Sequence, residues 1–242
     1  MKRSTVRTVA FGLFAAAAIA LCIRLGFWQL DRLAQRRMRN EAVRAMAEQP
    51  VVGVDALRNL DSASIHYRRI RLRGVAEYER EIVLAARSQA GAPGVHLLTP
   101  VRPLDNSFAD TLVLLLRGFV YAPDGRTFDE VAAREADTLD IDALVTMFPP
   151  KRESHVRLAS PGAIRYLDRD TIAAIIDSPI EPYLLLALGD TVPQSKTRPA
   201  RVPPPSLGEG PHFSYALQWF GFATVFAVGF VAYVMSGRKR GA

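Results

Sequence analysis

Two stretches of this chain are apolar almost without interruption. Phe213 to Met235 carries no charge and, at 23 residues, exceeds the roughly 20 that a helix needs to cross the hydrocarbon of a bilayer. Between Thr8 and Leu30 the run is less tidy: Val9 to Ile23 is continuous, Arg24 interrupts it, and Leu25-Gly26-Phe27-Trp28 resumes. The pattern predicts transmembrane helices at 8–30 and 212–235. After the first, "QLDRLAQRRMRNEAVRAMAEQ" keeps a helical rhythm up to Pro50, so a helix over about 31–48 leads out of the apolar segment.

Beyond Pro50 the rhythm changes to short runs bounded by turn-forming stretches. Strands are expected at 67–78, 81–87, 94–104 and 111–121, separated by "SQAGAPG", "LDNSFAD" and "APDGRT". "TFDEVAAREAD" (127–137) predicts a short helix opened by Thr127 or Asp129. "DIDALVTMFP" predicts a strand, "LDRDTIAAIIDS" a helix with Asp168 and Asp170 in a capping role, and "EPYLLLALG" a last strand. Closely spaced strands favour antiparallel pairing, because parallel pairs need long crossovers. The expected fold is a membrane-anchored α+β protein: two antiparallel transmembrane helices flanking a mainly antiparallel sheet or small barrel with a few short helices. The domain plan is a tail (1–7), a first span (8–30), an external domain (31–198), a proline-rich tether (199–211), a second span (212–235) and a basic tail (236–242). Five prolines between 199 and 211 make the tether stiff.

The formal charge of +7 changes meaning once it is mapped. Residues 1–30 carry Lys2, Arg3, Arg7 and Arg24, residues 212–242 carry Arg238, Lys239 and Arg240, and neither segment holds an acid. The stretch between is balanced in sign. A nucleic-acid binder would concentrate cations on its folded domain, so no nucleic-acid partner is expected. Cations beside short terminal tails stay on the cytoplasmic side, whereas a long domain translocates regardless of its charges. The reading is therefore a bacterial inner-membrane protein with both termini cytoplasmic and the main domain periplasmic. A cleaved signal peptide fits less well than an uncleaved anchor, since small residues lie inside the apolar run and Leu21 spoils a lipoprotein box before Cys22.

Candidate chemistry is sparse in the domain. Cys22 is the one cysteine, so no intrachain disulfide and no CxxC site can form. His66, His96 and His155 are scattered, and no metal-ligand spacing, GxSxG elbow, phosphate loop or SxxK motif is present. An enzyme is not expected. Arg69, Arg71 and Arg73 share one strand face, either the solvated side of a strand or a patch for an acidic partner.

The helix ends are different. Antiparallel spans bring "LGFWQL" and "HFSYALQWF" to one leaflet, and both tryptophans, Trp28 and Trp219, sit there beside Gln29 and Gln218. A belt of interfacial rings accounts for the aromatics. It does not account for the amides, which call for helix-to-helix hydrogen bonds. His212, Tyr215, Ala216, Trp219, Ala223, Phe226 and Phe230 follow the spacing of one helical face. Arg24, one turn before Trp28, reads as a snorkelling cation.

Taken in order, "LGFWQLDR" (25–32), "RSQAGAPGVHLLTPV" (87–101), "LLRGFV" (115–120) and "HFSYALQWFGFA" (212–223) resemble the surfeit locus 1 family of cytochrome c oxidase assembly proteins along the whole chain. The resemblance implies a factor that helps mature oxidase subunit I by binding haem a and presenting it for insertion, with subunit I and haem a synthase as partners. His212 matches the family's histidine at the start of the second helix and is the implied contact to the haem iron, while Trp28 and Gln29 match its tryptophan-glutamine pair. Tyr215, Trp219 and Gln218 complete the expected cofactor site. Where many members read approximately "VNRGW", this chain has Leu115-Leu116-Arg117-Gly118-Phe119, and Tyr166, Arg169 and Asp170 are remnants of a tryptophan-rich stretch. Two other readings stand beside the carrier: a cofactor-free scaffold for subunit I, and a membrane-tethered enzyme.

Overall fold

The computed structural model describes residues 3–105, 108–150, 162–192 and 198–239; Lys2, His155, Arg240 and part of the stretch before the tether lie outside them. The chain divides into two compact units, 1–42 with 207–242, and 43–206.

The first unit is a helix pair. Helix α1 (Arg3–Ala47) runs unbroken through Arg24 and out of the apolar segment, so the two helices expected at 8–30 and 31–48 are one rod. Its partner α4 (His212–Lys239) begins right after Pro211, a residue that tolerates the first turn of a helix and little else. Both are long and apolar enough to cross a membrane. Ala15, Cys22 and Gln29, seven apart, are buried on α1, as are Gly26, Leu33 and Asn40, again seven apart. This is a coiled-coil spacing carried largely by small residues, which let two backbones approach where lipid offers no hydrophobic gain. Ala216 and Ala223 are the matching buried positions of α4. Gly26 sits so near Phe220 that a Cβ there would lie 2.6 Å from the ring, and Gly12 faces Phe230. Phe27 meets Phe220 edge-on at 5.5 Å and Phe11 packs on Tyr233 at 4.8 Å, which fixes the antiparallel register. The remaining faces are open and apolar: Leu13, Phe14, Val225 and Val228 are each more than 60 % exposed.

The second unit is a small barrel. Strands β1 (Val52–Gly53), β2 (Arg69–Ala76), β3 (Ile82–Gln89), β4 (Ala92–Pro103), β5 (Leu112–Tyr121), β6 (Thr138–Met147), β7 (Ala163–Ile164) and β8 (Ile180–Ala187) form one sheet in the order β1-β2-β6-β8-β5-β4-β3-β7. It closes because β2 pairs along one edge with β6 and, at Gly74–Ala76, along the other with Val101–Pro103 of β4. Length makes this possible: the first half of β4 pairs with β3 and the second half is left for β2. The β3–β4 turn is Ala90-Gly91, both with positive φ (50° and 82°), as a two-residue hairpin of matching twist requires.

Ile70, Leu72, Val113, Leu115, Val145, Tyr183 and Leu185 fill the barrel. Leu112, Leu114, Leu116, Leu184 and Leu186 point the other way, under Ile172 and Ile176 of helix α3 (Arg169–Ile176). Covered on both faces, β5 has no need of alternation and reads as a continuous apolar run. It pairs parallel with β8, the chain crossing over through β6 and α3, so the sheet is mixed although mainly antiparallel. Asp168 caps α3 by accepting from the Thr171 amide.

Two expectations change. No helix forms at 127–137. Asp129 does cap one turn, accepting from Ala132 N–H at 2.9 Å, but the carbonyl of fully buried Ala133 is taken by the Arg117 guanidinium and cannot continue the ladder. The segment expected to be a stiff, strand-poor spacer is pinned at its start: Ala200 forms an antiparallel bridge with Phe119. The arginine face of β2 is a paired one, with Arg71 directly across from Asp142 and Arg73 across from Asp140. Exposed pairs of this kind contribute little to stability, since water and salt screen them.

Candidate functional site

The start of α4 is held by residues two to three turns along α1 from the expected site. The Asn40 amide, only 6 % exposed, donates to Leu207 O at 2.7 Å, and Arg36 Nε donates to Gly208 O at 3.0 Å. Arg37 grips the Glu209 carboxylate in two-pronged fashion at 2.7 and 2.9 Å. Gly210 then turns the chain with φ +72°, a conformation that suits glycine, and Pro211 leads into His212. Nothing in the sequence reading pointed to this clasp. Its one available signal was Asn40, a small amide continuing the seven-residue spacing of Leu33 and Gly26.

Held in this way, His212 places Nδ1 2.9 Å from Oε1 of Gln29. Gln29 is 9 % exposed, so the amide inside the seam has found its partner across the helix pair. With the amide oxygen toward the ring, Nδ1 carries the hydrogen and Nε2 keeps its lone pair. That donor is chemically suited to a metal, since neutral imidazole with its second nitrogen hydrogen-bonded is the usual ligating form. Among the described residues no three His, Cys, Asp or Glu side chains gather as a metal cluster. The donor set fits a single protein ligand to a haem, a group that supplies its other four ligands itself.

The other four expected residues are not drawn into one pocket. Trp28 is half exposed, with the Arg32 guanidinium 5.8 Å above its ring, and Arg32 also donates to Gln35. Trp219 is partly buried and meets Phe222 edge-on at 5.9 Å. Tyr215 is 45 % exposed, Gln218 is exposed too, and both open outward from α4. Of the face expected from Tyr215 to Phe230, the members that turn toward α1 are His212, Ala216, Trp219, Ala223 and Phe230; Tyr215 and Phe226 do not. The arrangement is a buried glutamine bonded to a half-buried histidine, with exposed rings on the same two helices.

A second polar cluster lies inside the barrel domain, and the sequence pattern did not point to it. Arg117 of β5 is fully buried. Its guanidinium holds Glu81 at 2.8 and 3.1 Å, Thr99 at 3.1 Å and Glu135 at 3.4 Å, and lies 5.2 Å over the Tyr78 ring. Arg201 completes it, pairing with Glu135 at 2.7 Å and donating to the Arg117 carbonyl at 2.7 Å. Two arginines and two glutamates leave the cluster neutral. The departures around Arg117 are then packing changes: Leu116 sits under α3, and Phe119, 2 % exposed, meets His96 edge-on at 6.1 Å. Of the remnants, Arg169 donates to Ile180 O and Asp170 lies in the first turn of α3.

Burial first, and then the Arg87 charge, hold the His96 imidazole down to about 4. In an unfolded chain it titrates near 6.5. Between those values the unfolded chain takes up a proton that the folded domain refuses, so stability falls as pH drops from about 6.5 toward 4. Partial solvent access reduces the effect to about 1–2 kcal/mol. Urea denaturation at pH 7 and pH 4.5 checks this: His96→Gln is expected to lose less stability between the two pH values than the parent chain.

The SURF1 family model matches residues 16–224, which takes in the seam of α1, the whole barrel and the first half of α4. A SURF1-like protein of Rickettsia felis is 23% identical over 218 residues, covering 88% of this chain and 92% of that protein. A SURF1-like protein of Rickettsia conorii is 21% identical over 220 residues, covering 88% and 86%.

Proposed function

From the premise that this chain belongs to the SURF1 family, we propose that it is an assembly factor for a haem-copper cytochrome c oxidase, binding haem a at the outer ends of its two membrane helices and aiding its insertion into subunit I. The observation that carries this reading is the His212–Gln29 pair at 2.9 Å. A half-buried imidazole with one nitrogen satisfied across the helix pair and the other free is a ligand in waiting.

The setting is an inner membrane with both tails cytoplasmic and the barrel periplasmic. Support comes from the unbalanced cations at the chain ends and from two helices long and apolar enough to span. Haem supplies the redox centre of the oxidase; the residues here have only to hold it and let it go. His212 would provide a nitrogen ligand to the iron, Trp28, Trp219 and Tyr215 would offer apolar ring surface, and Gln218 would offer a polar contact. A single side-chain ligand suits a carrier, because one bond and apolar contact give way more readily than two bonds. Subunit I and haem a synthase would be the receiving and supplying partners.

A cofactor-free scaffold for subunit I is the second reading, and Gln218 favours it. An exposed amide on an otherwise apolar helix wants a hydrogen-bonding partner in lipid, which a neighbouring helix would supply. Absorption spectra decide. Detergent-purified chain from haem-a-producing cells is expected to carry pigment, and His212→Ala to lose at least about tenfold of it. An unchanged spectrum in the variant, or colourless parent protein co-purifying with oxidase, rejects the carrier.

A further inference from the structure

We infer that Gln29 is a positioning residue that locks His212 in the Nδ1–H tautomer and so aims the lone pair of Nε2 at an incoming metal centre. The inference rests on the carrier reading given above but concerns a different residue and a different observable. It starts from a juxtaposition that nothing in either segment alone requires. Gln29 lies on α1 in the same seven-residue row as Ala15 and Cys22, both small and both buried. A third small or apolar residue would continue that packing without cost. An amide there must be satisfied, because a polar group inside an apolar interface loses its water and gains nothing unless it is bonded. It is satisfied by one group, the His212 ring at 2.9 Å.

The consequence for the ring is specific. A histidine free in water exchanges its proton between the two nitrogens. Beside a carbonyl oxygen in a buried helix seam the Nδ1–H form is favoured, since the Nε2–H form would set a lone pair against that oxygen or require the amide to turn over. Both ends of the hydrogen bond are held. The Gln29 backbone is set by the close Gly26–Phe220 packing one turn away, where there is no room for a Cβ, and His212 follows the Asn40, Arg36 and Arg37 clasp on residues 207–209. The amide oxygen also makes the imidazole a better electron donor, the role that such outer partners play at metal-bound histidines. Trp28, next in sequence, points outward and can do neither.

The test uses the full chain in detergent, labelled with nitrogen-15 histidine; four histidines give a tractable spectrum, and His212→Ala assigns the signals. At a pH where the imidazole is neutral, the parent chain is expected to show His212 as a pure Nδ1–H tautomer. Gln29→Leu should release it into a mixture, and Gln29→Glu, which keeps an acceptor, should restore the pure form. Titration with ferric haem as the probe should show affinity falling roughly 10–100-fold in Gln29→Leu and returning in Gln29→Glu. A parent chain with the Nε2–H tautomer overturns the inference, and so does a Gln29→Leu chain with unchanged tautomer and unchanged affinity. A parent chain in the Nδ1–H form that takes up no haem rejects the carrier reading while leaving the hold of Gln29 on the ring in place.

Discussion

Arg117→Ala is expected to cost the barrel domain about 3–5 kcal/mol, much of a typical domain's stability. The loss does not come mainly from the ion pairs as such. Burying two charges is itself expensive, and their attraction roughly repays it. What the substitution leaves is Glu81 with an unbalanced charge inside the barrel wall, Thr99 bonded to it alone, and the Ala133 carbonyl without a donor. Replacing the opposing acid as well should relieve much of the penalty, so Arg117→Met with Glu81→Leu is expected to be more stable than Arg117→Met alone. The probe needs care. Both tryptophans lie in the helix pair, so their fluorescence is blind to the barrel; Tyr67, Tyr78, Tyr121, Tyr166 and Tyr183 make near-ultraviolet circular dichroism the useful signal. A loss below about 1 kcal/mol for Arg117→Ala would show that the cluster is hydrated and that its burial has been overstated.

Gly118→Ala is the second large effect, expected at about 2–3 kcal/mol. A Cβ at that position would lie 2.6 Å from the Ala200 carbonyl oxygen and 2.8 Å from Pro199 Cβ, backbone and ring that cannot swing aside. The segment must lift, and with it go both hydrogen bonds between Phe119 and Ala200, at 2.7 and 2.9 Å, and the Arg201 bond to the Arg117 carbonyl. Hydrogen exchange checks this directly: the Phe119 and Ala200 amides should lose protection while those of Ile70 and Leu185 in the barrel wall keep theirs. Equal loss everywhere would mean that the strap and the barrel unfold as one.

These two positions also show what could be read without coordinates. Strands were legible because each apolar run is closed by a turn that leaves little choice, as at Ala90-Gly91. The cap at Asp168 was legible for the same local reason. At 127–137 local signals misled: Asp129, Ala132 and Ala133 favour a helix, and only Arg117, distant in sequence, takes the carbonyl that the helix needs. The closure of the barrel through β2 and β4 was left open as sheet or barrel, since no periodicity reports which edge meets which. Arg117 itself looked like one arginine among many, because its burial depends on strands and loops from four parts of the chain. The site followed the same division. Gln29 and His212 could be flagged singly as odd residues in apolar helices, but their pairing is a product of the register set by Gly26 against Phe220. Tyr215 and Phe226 were placed on the contact face by a spacing that tolerates an error of one position, and the true seam passes beside them.

One feature bears on how such a chain tolerates change. The Asn40 amide and the Leu207 carbonyl are 2.7 Å apart, so everything from 43 to 206 leaves and returns through a single gate. To the two helices that whole stretch is one closed loop, and doubling the length of a loop costs only about 0.6 kcal/mol. The cassette between the gateposts can therefore gain or shed surface segments across generations with almost no toll on the membrane portion, which leaves selection free to remodel the one without retuning the other.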